Sequence, residues 1–97
     1  MTHAAKKLLR TAAARGWTFL VTSCGTVDYR GPSAKDAWAA VEATEEATVH
    51  FIAPTGKRAG SAFMIDSAEP DETVADCTAS SAPEGREFET MAATAVI

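Results

Sequence analysis

Apolar and polar residues repeat at two different periods along this chain, and each change of period marks an element. Ala5, Leu8, Leu9 and Ala12 recur at helical spacing within residues 2–15, with Lys6, Lys7 and Arg10 mainly off that stripe. That pattern predicts an amphipathic helix. Thr2 is placed to cap its start, and Gly16 to end it in a left-handed conformation. From Trp17 the period falls to two. Trp17, Phe19, Val21 and Ser23 share one face and Thr18, Leu20 and Thr22 the other, which reads as a half-buried strand. Cys24-Gly25 suits a turn, and Val27 and Tyr29 then alternate with Asp28 and Arg30 in a short returning strand that Gly31-Pro32 ends.

Ser33, with Asp36 three residues later, makes a capping-box-like start for a second helix from Ala34 to about Thr44. Its buried face is Ala34, Ala37, Trp38 and Val41, with Trp38 the large anchor laid on the sheet. Glu42, Glu45 and Glu46 gather toward its end, where the helix dipole disfavours acids. The stretch from Thr48 to Ile65 then reads as a hairpin, the centre of the fold, with arms Thr48–Ala53 and Ser61–Ile65 and a link punctuated by Pro54, Gly56 and Gly60. In the first arm Val49 and Phe51 oppose Thr48, His50 and Ile52. In the second, Phe63 and Ile65 oppose Ala62 and Met64. Asp66 to Glu72 is a polar loop. The segment from Thr73 to Thr78 fits a helical turn or a short strand equally, Ala79 to Gly85 reads as a loop, and Glu87 to Thr94 suits a short helix with Phe88, Met91, Ala92 and Ala95 inward.

Together these make one α+β domain over residues 1–97, in the order α-β-β-α-β-β-α, with an antiparallel sheet of about four strands and helices packed on one face. Hydrophobic residues are 46% of the chain, but many are alanine, which buries little area. The core therefore falls to Trp17, Phe19, Leu20, Val21, Trp38, Val41, Val49, Phe51, Ile52, Phe63, Met64 and Ile65. Burial is worth roughly 25 cal/mol per Å² of apolar area, so modest stability is expected.

Charge alters this picture more than composition does. The net charge of −4 hides a basic head and an acidic later half. Lys6, Lys7, Arg10 and Arg15 precede every acid, the first of which is Asp28, whereas from Asp66 to Glu89 eight acids face Arg86 alone. No apolar run approaches the roughly 20 residues that cross a bilayer, and the basic N-terminus lacks the apolar core of a secretory signal. The expectation is a protein of the bacterial cytoplasm that does not engage membranes. Cys24 and Cys77 form no C-x-x-C pair and are expected to be small buried or half-buried residues rather than a disulfide.

Candidate chemistry is sparse. Gly56-Lys57 lacks the upstream glycine and the following Ser or Thr of a phosphate loop, because Phe51 and Arg58 stand there. His3, His50, Cys24 and Cys77 show no metal-ligand spacing. A nucleophile pair of Cys24 and His50 is topologically allowed, but a strand histidine is more often a half-exposed side chain. The carboxylates around Glu69–Glu72 have no apolar surroundings to raise a pKa for acid catalysis. The expectation is therefore no cofactor, no metal and no catalysis. Two binding surfaces remain. Glu69, Asp71, Glu72 and Asp76 can imitate a phosphate ladder and occupy the basic surface of a protein or ribonucleoprotein, with binding steered by charge. The alternative is a nucleic-acid contact through Lys6, Lys7, Arg10, Lys57 and Arg58. It is the lesser reading, because the chain is acidic overall and no stacking aromatics interleave with these bases. A dimerising structural subunit, with a second copy as partner, is the remaining class.

The sequence of helix, strands and helix, followed by Gly56-Lys57-Arg58-Ala59-Gly60 and Pro70-Asp71-Glu72-Thr73-Val74-Ala75-Asp76, resembles small proteins carried by phages and mobile elements. Characterised members of that pool include inhibitors of host defence, anti-CRISPR proteins among them. The resemblance implies a short, acidic binder without catalytic motifs that blocks a larger protein or ribonucleoprotein. It carries no functional residue over to this chain.

Overall fold

The computed structural model describes residues 3–95. The fold is α+β: three helices and a five-stranded antiparallel sheet. In chain order the elements are α1 (Ala4–Ala14), β1 (Thr18–Ser23), β2 (Thr26–Gly31), α2 (Ala34–Thr44), β3 (Glu46–Ile52), β4 (Arg58–Ile65), a 3-10 turn at Pro70–Glu72, β5 (Val74–Ala79) and α3 (Pro83–Ala95). The strand order across the sheet is β2-β1-β3-β4-β5. The ambiguous segment after Thr73 is thus a strand, and the sheet has five strands instead of about four. β5 carries little apolar alternation of its own, and pairing with β4 supplies the order that its sequence leaves open.

Local signals set most boundaries. Ser33 Oγ accepts from the Asp36 N–H (3.1 Å) and caps α2. Cys24 and Gly25 both take positive φ (48° and 80°), the geometry of a two-residue hairpin turn between β1 and β2. α2 passes directly into β3 through Glu45, whose φ of 67° breaks the helix. For a non-glycine residue that conformation costs on the order of 1–3 kcal/mol. The cap of α1 is His3, whose Nδ1 accepts from the Lys6 N–H (3.2 Å); Thr2, expected in that role, lies outside the described residues. α3 begins at Pro83, a turn earlier than the periodicity suggests, because Pro is well suited to a first helical turn.

All three helices lie on one side of the sheet: α2 packs across β1 to β4, α3 on β4 and β5, and α1 against α2 and α3. Phe19, Val21, Ala47, Val49, Phe51, Ala62 and Met64 point into this layer and are buried. Phe51 is at its centre, edge-on to Phe19 (5.5 Å between ring centroids) and tilted against Phe88 of α3 (4.9 Å). Phe88 lies over Gly60, where any Cβ would run into its ring. Trp38 is buried in the core cluster shared with the inner residues of the sheet, and its ring also meets His3 at the start of α1 (4.8 Å, edge-on), at the seam between α1 and α2.

Two expectations about the sheet are corrected. An extra residue, Asp28, bulges β2, so Tyr29 pairs with inward Val21 while Val27 pairs with outward Thr22. Val27 therefore lies on the opposite face from Tyr29 and is 53% exposed. Leu20, Ile52, Phe63 and Ile65, assigned above to the core, are only half-buried, because they alternate onto the face that no helix covers.

Thr73 is the buried polar side chain that ties the two halves of the chain together. Its hydroxyl accepts from the Ala5 N–H (3.0 Å) and donates to the Pro70 carbonyl (2.8 Å). One of the orphan donors of the first helix is thus satisfied from 68 residues away. Thr73→Val preserves the shape and removes the acceptor, leaving a buried N–H unpaired. It is expected to lower stability by about 1–3 kcal/mol in denaturant unfolding. An unchanged midpoint would mean that this bond does not hold the acidic turn to α1.

Candidate functional site

The uncovered face of the sheet follows directly from the register. Across one row stand Arg30, Leu20, His50, Ser61 and Thr78. The next row holds Val27, Thr22, Thr48, Phe63 and Asp76. Thr18, Ile52 and Arg58 extend the face at one end and Glu46 and Ile65 at the other. Its apolar members are Val27, Leu20, Ile52, Phe63 and Ile65. Phe63 pairs directly with Asp76, and Ile65 directly with Glu46. Two neighbouring large apolar side chains are thereby flanked by a carboxylate on each side. A depression of about 320 Å³ beside Leu20, Arg30 and Ile52 lies toward the opposite, basic end.

His50 stands at the middle of this face. Its Nδ1 is 2.7 Å from Ser61 Oγ on β4, directly across, and its Nε2 is 3.4 Å from Thr22 Oγ1 on β1. A neutral imidazole donates from one nitrogen and accepts at the other, and hydroxyls can complement either role. The Thr22–His50–Ser61 contacts therefore link the three central strands. They do not include Cys24, which sits in the β1–β2 turn, and among the described residues no carboxylate hydrogen-bonds the imidazole. Among the described residues no three His, Cys, Asp or Glu side chains come together to hold a metal ion. No helix among them is long and apolar enough to cross a membrane.

The structure regroups the charged residues that the sequence singles out. Glu69, Asp71 and Glu72 share one exposed turn, held beside the start of α1, whose positive dipole end favours acids. Asp76 is separate, on β5, and belongs to the open face. The turn joins β4 to β5 at the same end of the sheet as Glu46 and Ile65, so the acids of loop and sheet form one end of the molecule. The basic set is not one patch. Lys6 and Arg10 line a groove between α1 and α2 together with Lys35, which sequence reasoning missed. Lys7 Nζ donates to the Thr94 carbonyl of α3 (3.1 Å). Lys57 lies in the β3–β4 turn near Glu84, and Arg58 is on the open face near His50. Arg15 pairs with Glu87 at 3.0 Å. Both cysteines are free thiols, but they are exposed where burial or half-burial was expected: Cys24 occupies a turn tip and Cys77 an edge strand.

The two histidines make the protein pH-sensitive in one direction. Burial, then the charges of Lys6 and Arg10 against the opposing pull of Asp66, hold His3 below the ordinary 6.5. Burial, then Arg58, holds His50 below the same value. Between the lowered folded pKa values and 6.5 the unfolded chain binds more protons than the folded one, so stability falls as pH drops below about 6.5. The melting temperature is expected to fall from pH 7.5 to 5.5, and His50→Gln should flatten that slope while retaining hydrogen-bonding capacity. A slope unchanged in both His50→Gln and His3→Gln would assign the pH dependence to other groups.

No protein-family model matches the chain, and neither a curated protein nor a solved structure is significantly similar to it.

Proposed function

We propose that the protein is a non-catalytic binding module that occupies a basic, apolar-centred surface on a larger protein or ribonucleoprotein and inhibits it by doing so. The observation that carries this reading is the pair Phe63 and Ile65 on the uncovered sheet face, flanked in register by Asp76 and Glu46. An apolar centre with a charged rim is the usual anatomy of a recognition surface. Size supports including the adjoining turn. Five strands of about six residues present only about 500 Å² of flat sheet, whereas a stable interface takes about 800 Å² from each partner. Glu69, Asp71 and Glu72, in the β4–β5 turn beside α1 at the same end of the sheet, would add area and negative charge at the edge of that surface. A nucleic-acid channel combines cationic walls with apolar stacking positions, so blocking a nucleic-acid-handling defence complex, in the manner of anti-CRISPR proteins, is the activity we favour.

A second reading has its own observation. Arg30 and Arg58 lie toward one end of the open face and Glu46 and Asp76 toward the other. Two copies stacked antiparallel would set bases over acids, giving a homodimer through the same apolar residues.

The test begins with a partner retained from nuclease-treated bacterial lysate and then measured as a purified component. Phe63→Ser is expected to weaken binding about tenfold or more, as loss of a buried apolar anchor does. Reversing Glu46 and Asp76 to Lys should cost about 1–3 kcal/mol, chiefly by slowing association, with a matching sensitivity to salt. Reversing Lys6 and Lys7 should do less, with circular dichroism confirming the fold of every variant. Normal binding by the first two variants and loss in the third would transfer the function to α1. Concentration-dependent self-association abolished by Phe63→Ser would establish the dimer instead.

A further inference from the structure

The groove between α1 and α2 lies on the helical side of the molecule, away from the open sheet face. It encloses about 360 Å³, within the lower part of the range of small-molecule sites, about 300–1,000 Å³. Its floor is Trp38, only 6% exposed and fixed edge-on by His3. Ala34 and Ala39 widen it, because each contributes only a methyl group where a larger side chain would fill the space. Helical spacing brings Lys6 and Arg10 to one wall, four residues apart on α1, and Lys35, Trp38 and Glu42 to the other, on α2. The three basic residues in this lining have long aliphatic stems, which can cover apolar surface while a charged head remains in water.

The rim is electrostatically incomplete. Of the residues lining the groove, Lys6, Arg10 and Lys35 are basic and Glu42 alone is acidic, and the ion pair found among the described residues, Arg15–Glu87, involves none of them. No side-chain hydrogen bond among those residues engages the three cationic heads either, whereas Lys7, next in sequence to Lys6, is used by Thr94. In a chain of net charge −4 the lining of this groove carries an excess of two positive charges. The first turn of α2, which supplies Ala34 and Lys35, adds the positive end of its dipole.

We propose that this groove is a binding site for a small aromatic phosphomonoester, a ligand of the nucleoside monophosphate class. The ring lies on the Trp38 side and the phosphate dianion is held by Lys6, Arg10 and Lys35. The double charge of the phosphate matches the uncompensated charge of the rim, and a guanidinium can take two of its oxygens at once. The apolar body accounts for a floor that an inorganic anion would leave unused. The site is independent of protein binding through the sheet face, and its variants leave that face intact.

Titration calorimetry on the intact chain tests it with four probes: adenosine 5′-monophosphate, phenyl phosphate, adenosine and inorganic phosphate. At least one phosphomonoester is expected to bind, and both adenosine and inorganic phosphate to bind about tenfold more weakly or not at all. Arg10→Ala and Lys35→Ala, both exposed positions, should each weaken the binding about tenfold, the scale of a lost charge-assisted hydrogen bond, with the fold unchanged by circular dichroism. Trp38→Phe, which keeps an aromatic floor, should weaken it less than either. Absence of binding by both phosphomonoesters, equal binding of inorganic phosphate, or indifference to Arg10→Ala and Lys35→Ala would overturn the proposal.

Discussion

Packing all three helices on one face of the sheet is the constraint on which the other features depend. Each strand projects alternate side chains to opposite sides, so one-sided cover buries Phe19, Val21, Val49, Phe51, Ala62 and Met64 and leaves Leu20, His50, Ile52, Phe63 and Ile65 on the far side. The covered side is closed by aromatic contact and by close approach. Phe51 bridges Phe19 and Phe88, and Gly60 admits the Phe88 ring. Gly60 and Ala62 on β4's inner face therefore leave room for the docking of α3, while Phe63 and Ile65 of the same strand alternate to the outside.

The same arrangement sorts the charges. Strand direction carries Glu46, Asp76 and the Glu69–Glu72 turn to one end of the sheet and Arg58 toward the other. Within the helical layer, Thr73 holds the acidic turn to the start of α1, where the helix dipole favours it. Part of the acid clustering thus lies where a helix N-terminus favours negative charge. Glu46 and Asp76 have no such employment, and their register beside Ile65 and Phe63 is what makes them the more informative pair for recognition.

α1 serves two environments. Its inner stripe of Ala5, Leu8, Leu9 and Ala12 is buried, whereas its bases disperse: Lys7 to α3, Arg15 to Glu87, and Lys6 with Arg10 to the groove against α2. A row of positive charge in the sequence becomes three separate uses in the molecule. Only the portion facing Lys35 and Trp38 remains concave and electrostatically open.

Local patterns determined much of the fold. The 3.6-residue stripe of α1, the Ser33 cap of α2, the Cys24-Gly25 turn and the two-residue alternation of β1 and β3 are set by neighbouring residues and are legible without tertiary information. Three features were not. β5 lacks a pattern of its own and is ordered by β4. The bulge at Asp28, which turns Val27 outward, is a matter of pairing with β1. Which of two apolar faces on the central hairpin is buried was also undetermined, because Phe63 and Ile65 are as hydrophobic as Ala62 and Met64, and helix placement alone decides between them. The candidate sites share that origin. The sequence by itself settled every element except β5, together with the charge asymmetry. Tertiary structure decided that Phe63 meets Asp76, that Lys35 joins Lys6 and Arg10, and that one face of the sheet stays open, because each depends on segments distant in sequence becoming neighbours in space.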